Sequence, residues 1–237
     1  PNSSIGMLAY KFHEWVDLDK ICWINLSLNP HAINVLEANP DKINWINLSK
    51  NPGAIHLLED NPDKIHWKNL SLNPNAIHLL KANPDKINWA NLSKNPSAIS
   101  LLEANPHKIM WWSLSGNPSA AHLLRDNIQK VYQLMLVRNP LVFDIVKEDI
   151  IMEDWSTIAC NPAAIHLIER YLHVIDWYWL SKNPAAIHLL NFRPDKIEWW
   201  AVSELPEAIE LLKANPDKIH WEYISRNQAI FGYDYDR

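Results

Sequence analysis

The stretch NPDKINWANLSKNPSAISLLEANP, Asn83–Pro106, contains the dipeptide Asn-Pro three times and one tryptophan. Asn is a favoured residue at a helix N-cap, and Pro is well tolerated at the first helical position. Proline also disfavours helical backbone angles at the residue before it, so a preceding helix ends there. Each Asn-Pro is therefore predicted to end one helix and to begin the next.

The same pattern recurs along the whole chain with a period of 22 residues. Fifteen of the 16 prolines fall into two series with this step, and Gln133 is the one position at which the tryptophan series is interrupted. The unit reads N-P-x-A-I-x-L-L-x-x-N-P-x-K-I-x-W-x-x-L-S-x, and about ten copies follow one another without an insertion. A fixed period of this length is typical of solenoid repeat proteins. The periodic tryptophans are Trp23, Trp45, Trp67, Trp89, Trp111, Trp155, Trp177, Trp199 and Trp221.

The unit predicts an all-α fold, an α-solenoid of about ten 22-residue two-helix repeats. Helices of roughly 8 to 10 residues are too short to persist alone, so stacking of neighbouring repeats must stabilise them. We expect one continuous domain, 1–237, shaped as an open rod or arc and monomeric. Its predicted parts are an N-terminal cap (1–19), regular repeats (20–126), degenerate repeats (127–170), further repeats (171–226) and a C-terminal cap (227–237).

Some repeats depart from the unit at the second helix. Ile128, Ile150 and Leu172 replace its proline, and Met152 and Val174 replace its lysine. Since proline is the helix-start signal, irregular helix starts are expected at these positions.

Composition excludes several functional classes. A formal net charge of −5 gives no overall basic field for nucleic acid, and no long apolar run indicates a membrane span. Cys22 and Cys160 alone do not form a disulfide framework and favour a reducing, intracellular compartment. Only four glycines are present, and there is neither a phosphate-binding loop nor a nucleophile elbow. We therefore expect a protein that is not an enzyme and needs no cofactor.

The repeated segment NPDKINWANLSKNPSAISLL and the closing segment ISRNQAIFGYDYDR resemble the repeat proteins of giant amoeba-infecting DNA viruses. The resemblance covers roughly residues 20–237. It implies a helical repeat protein of unsettled function, located in the host cytoplasm, and it carries no catalytic residue across.

A row of histidines occupies one position of the first helix: His56, His78, His122, His166 and His188. Equivalent residues of neighbouring repeats should lie about 9 Å apart, which is too far for them to share one metal ion. The sequence therefore predicts a solvated face, with pH sensing or a metal site as the alternatives.

Three further surfaces are candidates for binding. The first is a row of amides two residues after the tryptophan, which could hydrogen-bond an extended peptide or simply fill a polar surface: Asn25, Asn47, Asn69 and Asn91. On the surface-filling interpretation, replacing Asn91 with Ala should barely alter stability, whereas Trp89→Ala should cost about 3 to 5 kcal/mol.

The second surface is aromatic. Trp112, Tyr178, Trp179, Trp200 and Tyr223 lie outside the tryptophan series, and aromatic side chains are enriched at interface hot spots. They form the predicted partner-binding region, with gap filling between irregular repeats as the alternative.

The third surface is a lysine row at the second helix: Lys20, Lys42, Lys64, Lys86, Lys108, Lys130, Lys196 and Lys218. It could track RNA phosphates, but an aspartate precedes most of these lysines and cancels the charge. The sequence thus favours a scaffold that binds a protein or peptide, with a viral assembly element as the alternative and single-stranded RNA binding as a weaker one.

Overall fold

The computed structural model describes residues 10–141 and 155–233 and shows an all-α repeat solenoid, as the period predicts. Apart from one pair of three-residue strands, the described regular structure is helical. Each repeat has three parts, which we name the first helix, the lysine turn and the tryptophan helix.

The first helix begins with a 3₁₀ turn at the proline and continues as an α-helix from the next isoleucine or alanine. Its 3₁₀ turns are Pro30–Ala32, Pro52–Ala54, Pro96–Ala98, Pro118–Ala120, Pro162–Ala164, Pro184–Ala186 and Pro206–Ala208. Its α-helices are Ile33–Glu37, Ile55–Asp60, Ile77–Ala82, Ile99–Glu103, Ala121–Asp126, Ile165–Arg170, Ile187–Leu190 and Ile209–Ala214.

The predicted second helix is wrong as a single element, because the backbone is extended in its middle. After the lysine turn Pro40–Lys42, Ile43 and Asn44 have extended angles, and a new α-helix starts at Trp45. The lysine turns are Leu18–Lys20, Pro40–Lys42, Pro62–Lys64, Pro84–Lys86, Pro106–Lys108, Ile128–Lys130, Pro194–Lys196 and Pro216–Lys218. The tryptophan helices are Trp23–Leu26, Trp45–Leu48, Trp67–Leu70, Trp89–Leu92, Trp111–Leu114, Gln133–Leu136, Trp155–Ala159, Trp177–Leu180, Trp199–Ser203 and Trp221–Ile224.

The two asparagines of a repeat make different hydrogen bonds. Before the first helix, Asn51 Oδ1 accepts the backbone N–H of Gly53, so the predicted N-cap is confirmed there. Before the lysine turn, Asn61 makes no such cap, and its Nδ2 donates to the carbonyl of Leu57 four residues back. The second asparagine therefore satisfies a carbonyl at the C-terminus of the helix it follows.

Buried polar side chains join consecutive repeats. Asn51 Nδ2 donates to the carbonyls of Ser27 and Asn29 of the preceding repeat, both at 3.0 Å. Ser27 Oγ donates to the Trp23 carbonyl and accepts the backbone N–H of Asn44 in the next repeat. These side chains are fully buried and fully hydrogen-bonded, so they fix the stacking register as well as filling space.

The last repeat packs on the first through the same contacts, so the solenoid closes into a ring. Asn29 Nδ2 donates to the carbonyls of Ser225 and Asn227, as Asn51 does to the repeat before it. Cys22 N–H donates to Ser225 Oγ, and Asn25 Nδ2 donates to the Glu222 carbonyl. The expectation of an open rod or arc is therefore wrong.

The segments expected to cap two separate ends instead pair with each other. Tyr10–Phe12 and Phe231–Tyr233 form an antiparallel two-stranded sheet in which Tyr10 lies opposite Tyr233 and Phe12 opposite Phe231. The two phenylalanine rings stack with centroids 4.3 Å apart. A hydrogen bond with the Tyr233 side chain raises the pKa of Tyr10. The ends of the expected caps, 1–9 and 234–237, lie outside the described residues.

The ring is a composite at this point because the first and the last repeat of the described residues are each incomplete. Its first regular elements are a lysine turn and a tryptophan helix, whereas its last is the 3₁₀ turn Gln228–Ile230, the start of a first helix. The two incomplete units are complementary. Pairing of the strands takes the place that the remainder of a first helix would occupy in any other repeat.

The described parts of the degenerate repeats keep the stacking register. Across the undescribed residues 142–154, Asn161 Nδ2 donates to the Val137 carbonyl, as the repeat pattern requires. The expected irregularity is absent at Ile128, where a normal lysine turn forms, and present at Leu172 and Val174, where no 3₁₀ helix forms. The predictions for Ile150 and Met152 concern residues outside the described ranges.

A continuous apolar core follows the ring. Its regular members are the leucine or isoleucine at the fourth position of the tryptophan helix, the second leucine of the first helix and the alanine after the first-helix proline. Leu48, Leu58 and Ala54 represent these positions, and each is fully buried. The tryptophans are only half-buried and pack against this core from its side.

Candidate partner-binding face

Six of the eight lysines of the row contact a tryptophan of the neighbouring repeat. Lys42 Nζ lies 4.3 Å from the ring centroid of Trp23 in the preceding repeat, and Lys64 lies 4.4 Å from Trp45. Lys20 repeats this contact with Trp221 at the closure, at 5.3 Å. These lysines cover the tryptophans through cation–π contacts, which favours a packing role over phosphate tracking.

Four of the five histidines of the row, His56, His78, His122 and His188, link neighbouring repeats on the exposed side. His56 Nε2 lies 2.6 Å from Glu37 Oε1, and His78 makes the same contact with Glu59 at 2.8 Å. Their side chains are about half exposed, as a solvated face requires. Among the residues that the structure describes, no three His, Cys, Asp or Glu side chains converge as metal ligands would.

The side-chain amide nitrogen of each asparagine in the row is engaged within the ring. Asn47 Nδ2 donates to the Ile24 carbonyl, Asn69 to Ile46 and Asn91 to Lys68, at 2.7 to 2.9 Å. At the closure, Asn25 makes the corresponding bond to Glu222. Because the amide already bridges two repeats, peptide binding at these positions is disfavoured, and the expectation that Asn91→Ala is neutral for stability has to be revised.

The variable residues share one surface, which we call the variable face. It comprises the positions one, two and five residues after each tryptophan position. Lys94, at the fifth position of its repeat, lies over the ring of Trp112, at the first position of the next, with 4.8 Å between Nζ and the centroid. Lys182 and Trp200 repeat this relation at 4.9 Å. The fifth position of one repeat therefore touches the first position of the next.

Four of the five predicted aromatic residues come together on the variable face. The ring centroids of Tyr178 and Trp179 lie 5.0 Å apart, those of Tyr178 and Trp200 5.6 Å, and those of Trp200 and Tyr223 5.1 Å. We call these four residues the aromatic cluster. Trp112 lies three repeats earlier and is 43% exposed, so it belongs to the same face but to another part of the ring.

Lys182 sits among three rings of this cluster. Its Nζ lies 4.1 Å from the Trp179 centroid, 4.7 Å from Tyr178 and 4.9 Å from Trp200. Contact with three π faces restricts a side chain that is otherwise flexible, and the ammonium is thereby held in a defined place. Sequence reasoning missed this residue because lysine is common on every surface of the chain.

Arg226 links the Tyr223 end of the aromatic cluster to the contact between the last and the first repeat. Its guanidinium lies over Tyr223, pairs with Glu204 at 3.2 Å and donates to Asn25 Oδ1 at 2.8 Å. The aromatic cluster therefore extends to the contact between the last repeat and the first.

A cleft of about 310 Å³ opens beside the cluster. It is lined by Arg138, Thr157, Cys160, Asn161, Trp179 and Lys182. The thiol of Cys160 donates to the Trp179 carbonyl at 3.3 Å, and neither Cys160 nor Cys22, the other cysteine, forms a disulfide. The pattern signal for this cleft was present in the sequence, because small residues stand at all three variable positions of one repeat.

None of the helices in 10–141 and 155–233 has the length and apolar character that crossing a membrane requires. Comparison of the chain with protein-family models, with curated proteins and with solved structures found no match.

Proposed function

We propose that the protein is a non-catalytic, ring-shaped scaffold that binds a protein or an extended peptide through its variable face. The observation that carries this proposal is the exposure of large apolar side chains at the first variable position of several repeats. Ile24 is 57% exposed, Ile46 54% and Leu134 60%, and Trp112 and Tyr178 are also exposed. Apolar side chains repeated on one face favour contact with a partner.

The aromatic cluster is the proposed centre of that contact. Tyr and Trp supply large contact areas and lose little side-chain entropy on binding, which is why they dominate interface hot spots. The other faces of the repeat carry His–Glu contacts or lysines already engaged with tryptophan, and they give a peptide fewer apolar anchors. On the strength of its sequence resemblance, we place the scaffold inside a virus-infected host cell.

An assembly role is the second candidate. Head-to-tail growth is disfavoured because the first and last repeats already satisfy each other through the closure contacts. Stacking of rings through the variable face would still be compatible with the exposed apolar positions. Binding of single-stranded RNA has less support, since the lysine row covers tryptophans.

Selection from a random peptide library tests the binding proposal. The wild-type ring should enrich peptides that are lost when Tyr178 and Trp200 are both replaced by Ala. The control replaces His56 and His78 by Ala, because these exposed side chains lie outside the variable face. Far-UV circular dichroism should first show that both variants fold.

Peptides retained by the control and lost from the aromatic variant support the proposal. Failure to enrich any peptide, or equal retention by both variants, contradicts it. Sedimentation of the free protein as a stable multimer, abolished by the aromatic substitutions, would favour ring stacking instead.

A further inference from the structure

The cleft beside the aromatic cluster has a simple origin in the repeat pattern. In the seventh repeat all three variable positions carry small side chains, Ser156, Thr157 and Cys160. The same positions of the flanking repeats carry long or bulky side chains: Leu134, Met135 and Arg138 before, and Tyr178, Trp179 and Lys182 after. A repeat with short side chains between two with large ones leaves a depression at its own position on the face.

The two ends of this depression are cationic. Arg138 is exposed and Lys182 is half-buried, and neither side chain has a carboxylate partner among the residues that the structure describes. Among the residues that the structure describes, no acidic side chain lines the cleft. In a chain with a net charge of −5, two cations that have no carboxylate partner among the described residues lie beside this one cleft and concentrate positive charge there.

The remaining walls suit a mixed ligand. The Trp179 ring gives an apolar side, and Thr157 and Cys160 give a hydroxyl and a thiol. Lys182 is already restricted by three rings. A ligand that pairs with its ammonium therefore costs less side-chain entropy than it would at an unrestrained lysine. An anionic group beside an apolar stem fits these walls.

We propose that this cleft is a recognition site for a carboxylate, the side chain of an Asp or Glu in an extended segment of a protein partner. Arg138 and Lys182 supply the opposite charges, and Trp179 contacts the neighbouring apolar side chain. The inference rests on the proposed function, because it names the anchor by which a peptide would bind the variable face. It is nevertheless testable without any peptide.

A small ligand can test binding at the cleft independently of the rest of the variable face. 3-Phenylpropionate carries a ring and a carboxylate, and 3-phenylpropionamide is its neutral counterpart. Titration followed through the indole N–H resonance of Trp179, identified by its loss in Trp179→Phe, should show the acid binding at least fivefold more tightly than the amide. Raising the salt concentration should weaken binding of the acid and leave the amide unchanged.

Four variants locate the interaction. Arg138→Gln and Lys182→Gln should each weaken binding of the acid at least threefold. Lys94→Gln is the matched control, since Lys94 occupies the same repeat position and also lies over a tryptophan. Cys160→Leu should abolish binding by filling the depression, and the fold should tolerate it because Leu28 and Leu72 occupy the equivalent position.

A chemical readout needs no bound ligand. The ratio of the alkylation rate with the anion iodoacetate to that with neutral iodoacetamide should be higher at Cys160 than at Cys22. Arg138→Gln should reduce this preference at Cys160 only. Retention of the full preference in that variant would contradict the cationic character assigned to the cleft.

The outcomes separate the two proposals. Equal binding of acid and amide, or an equal loss in Lys94→Gln, overturns the carboxylate site. Phenyl phosphate binding more than tenfold tighter than the acid also overturns it, in favour of a phosphorylated segment. Peptides that require the aromatic cluster but no acidic residue leave the proposed function standing without this inference. If the acid binds specifically at the cleft but no peptide is selected, the carboxylate site stands and the proposed function falls.

Discussion

Replacing Asn29 with Ala distinguishes a closed ring from an open solenoid. In the ring, Asn29 Oδ1 accepts the His31 N–H at 3.0 Å, while its Nδ2 donates to Ser225 at 3.3 Å and to Asn227 at 3.0 Å. Loss of the N-cap costs about 1 kcal/mol. Loss of two buried hydrogen bonds adds roughly 0.5 to 1.5 kcal/mol each. The expected loss is therefore about 2 to 4 kcal/mol.

Asn95 is the matched internal residue. It accepts from Ser97 and donates to the carbonyls of Ser71 and Asn73, so Asn95→Ala removes the same three bonds away from the closure. In a ring the two substitutions should lower the free energy of unfolding by similar amounts, measured by urea denaturation with far-UV circular dichroism. In an open solenoid Asn29→Ala would cost only the cap, about 1 kcal/mol. That result beside a full loss for Asn95→Ala would refute closure.

Further predictions follow from the same contacts. A variant with Ser at both native cysteines and with Tyr10→Cys and Tyr233→Cys should form a disulfide on oxidation, because directly opposed strand residues lie within disulfide reach. Absence of a mobility shift on non-reducing gels would contradict the strand register. Asn91→Ala should lower the free energy of unfolding by about 1 kcal/mol through its lost inter-repeat bond, and a change within error of zero would restore the surface-filling interpretation. Trp89→Ala should cost about 3 kcal/mol in the same denaturation assay, and a loss no larger than that of Asn91→Ala would contradict its packing role. His78→Ala should change stability by less than about 0.5 kcal/mol because its partner contact is exposed, and a loss above about 1 kcal/mol would be inconsistent with a surface pair.

Much of the fold was accessible from the sequence because each local signal repeats ten times. Asn-Pro predicted the helix starts, and the spacing of leucine and alanine predicted the buried side of the first helix. The second helix was misjudged, since the pattern from Pro40 to Leu48 is helical in composition while Ile43 and Asn44 are extended. Nothing in the residue types distinguishes a short turn plus a short helix from one longer helix.

Closure could not be read from periodicity, because curvature depends on small angles between repeats that no single residue encodes. The sequence did hold one indication. The segment at Asp19–Trp23 matches the second half of a unit and that at Asn227–Ile230 matches the beginning of one, so the two ends are complementary. The aromatic cluster was predicted as a group, whereas the position of Arg138 and Lys182 at the two ends of one cleft depends on the stacking of neighbouring repeats and is not visible in the sequence.

The closed arrangement constrains how such a gene can change in length. An open solenoid accepts a duplicated unit anywhere, since the new copy finds ordinary neighbours on both sides and only the overall length grows. In this molecule the rotations between neighbouring repeats add up to one full revolution. Only then can Asn29 make its hydrogen bonds to the final repeat. An eleventh copy would require all existing interfaces to change their angle together. Point substitution at exposed positions is consequently the easier route to diversity, whereas the number of units is fixed by geometry.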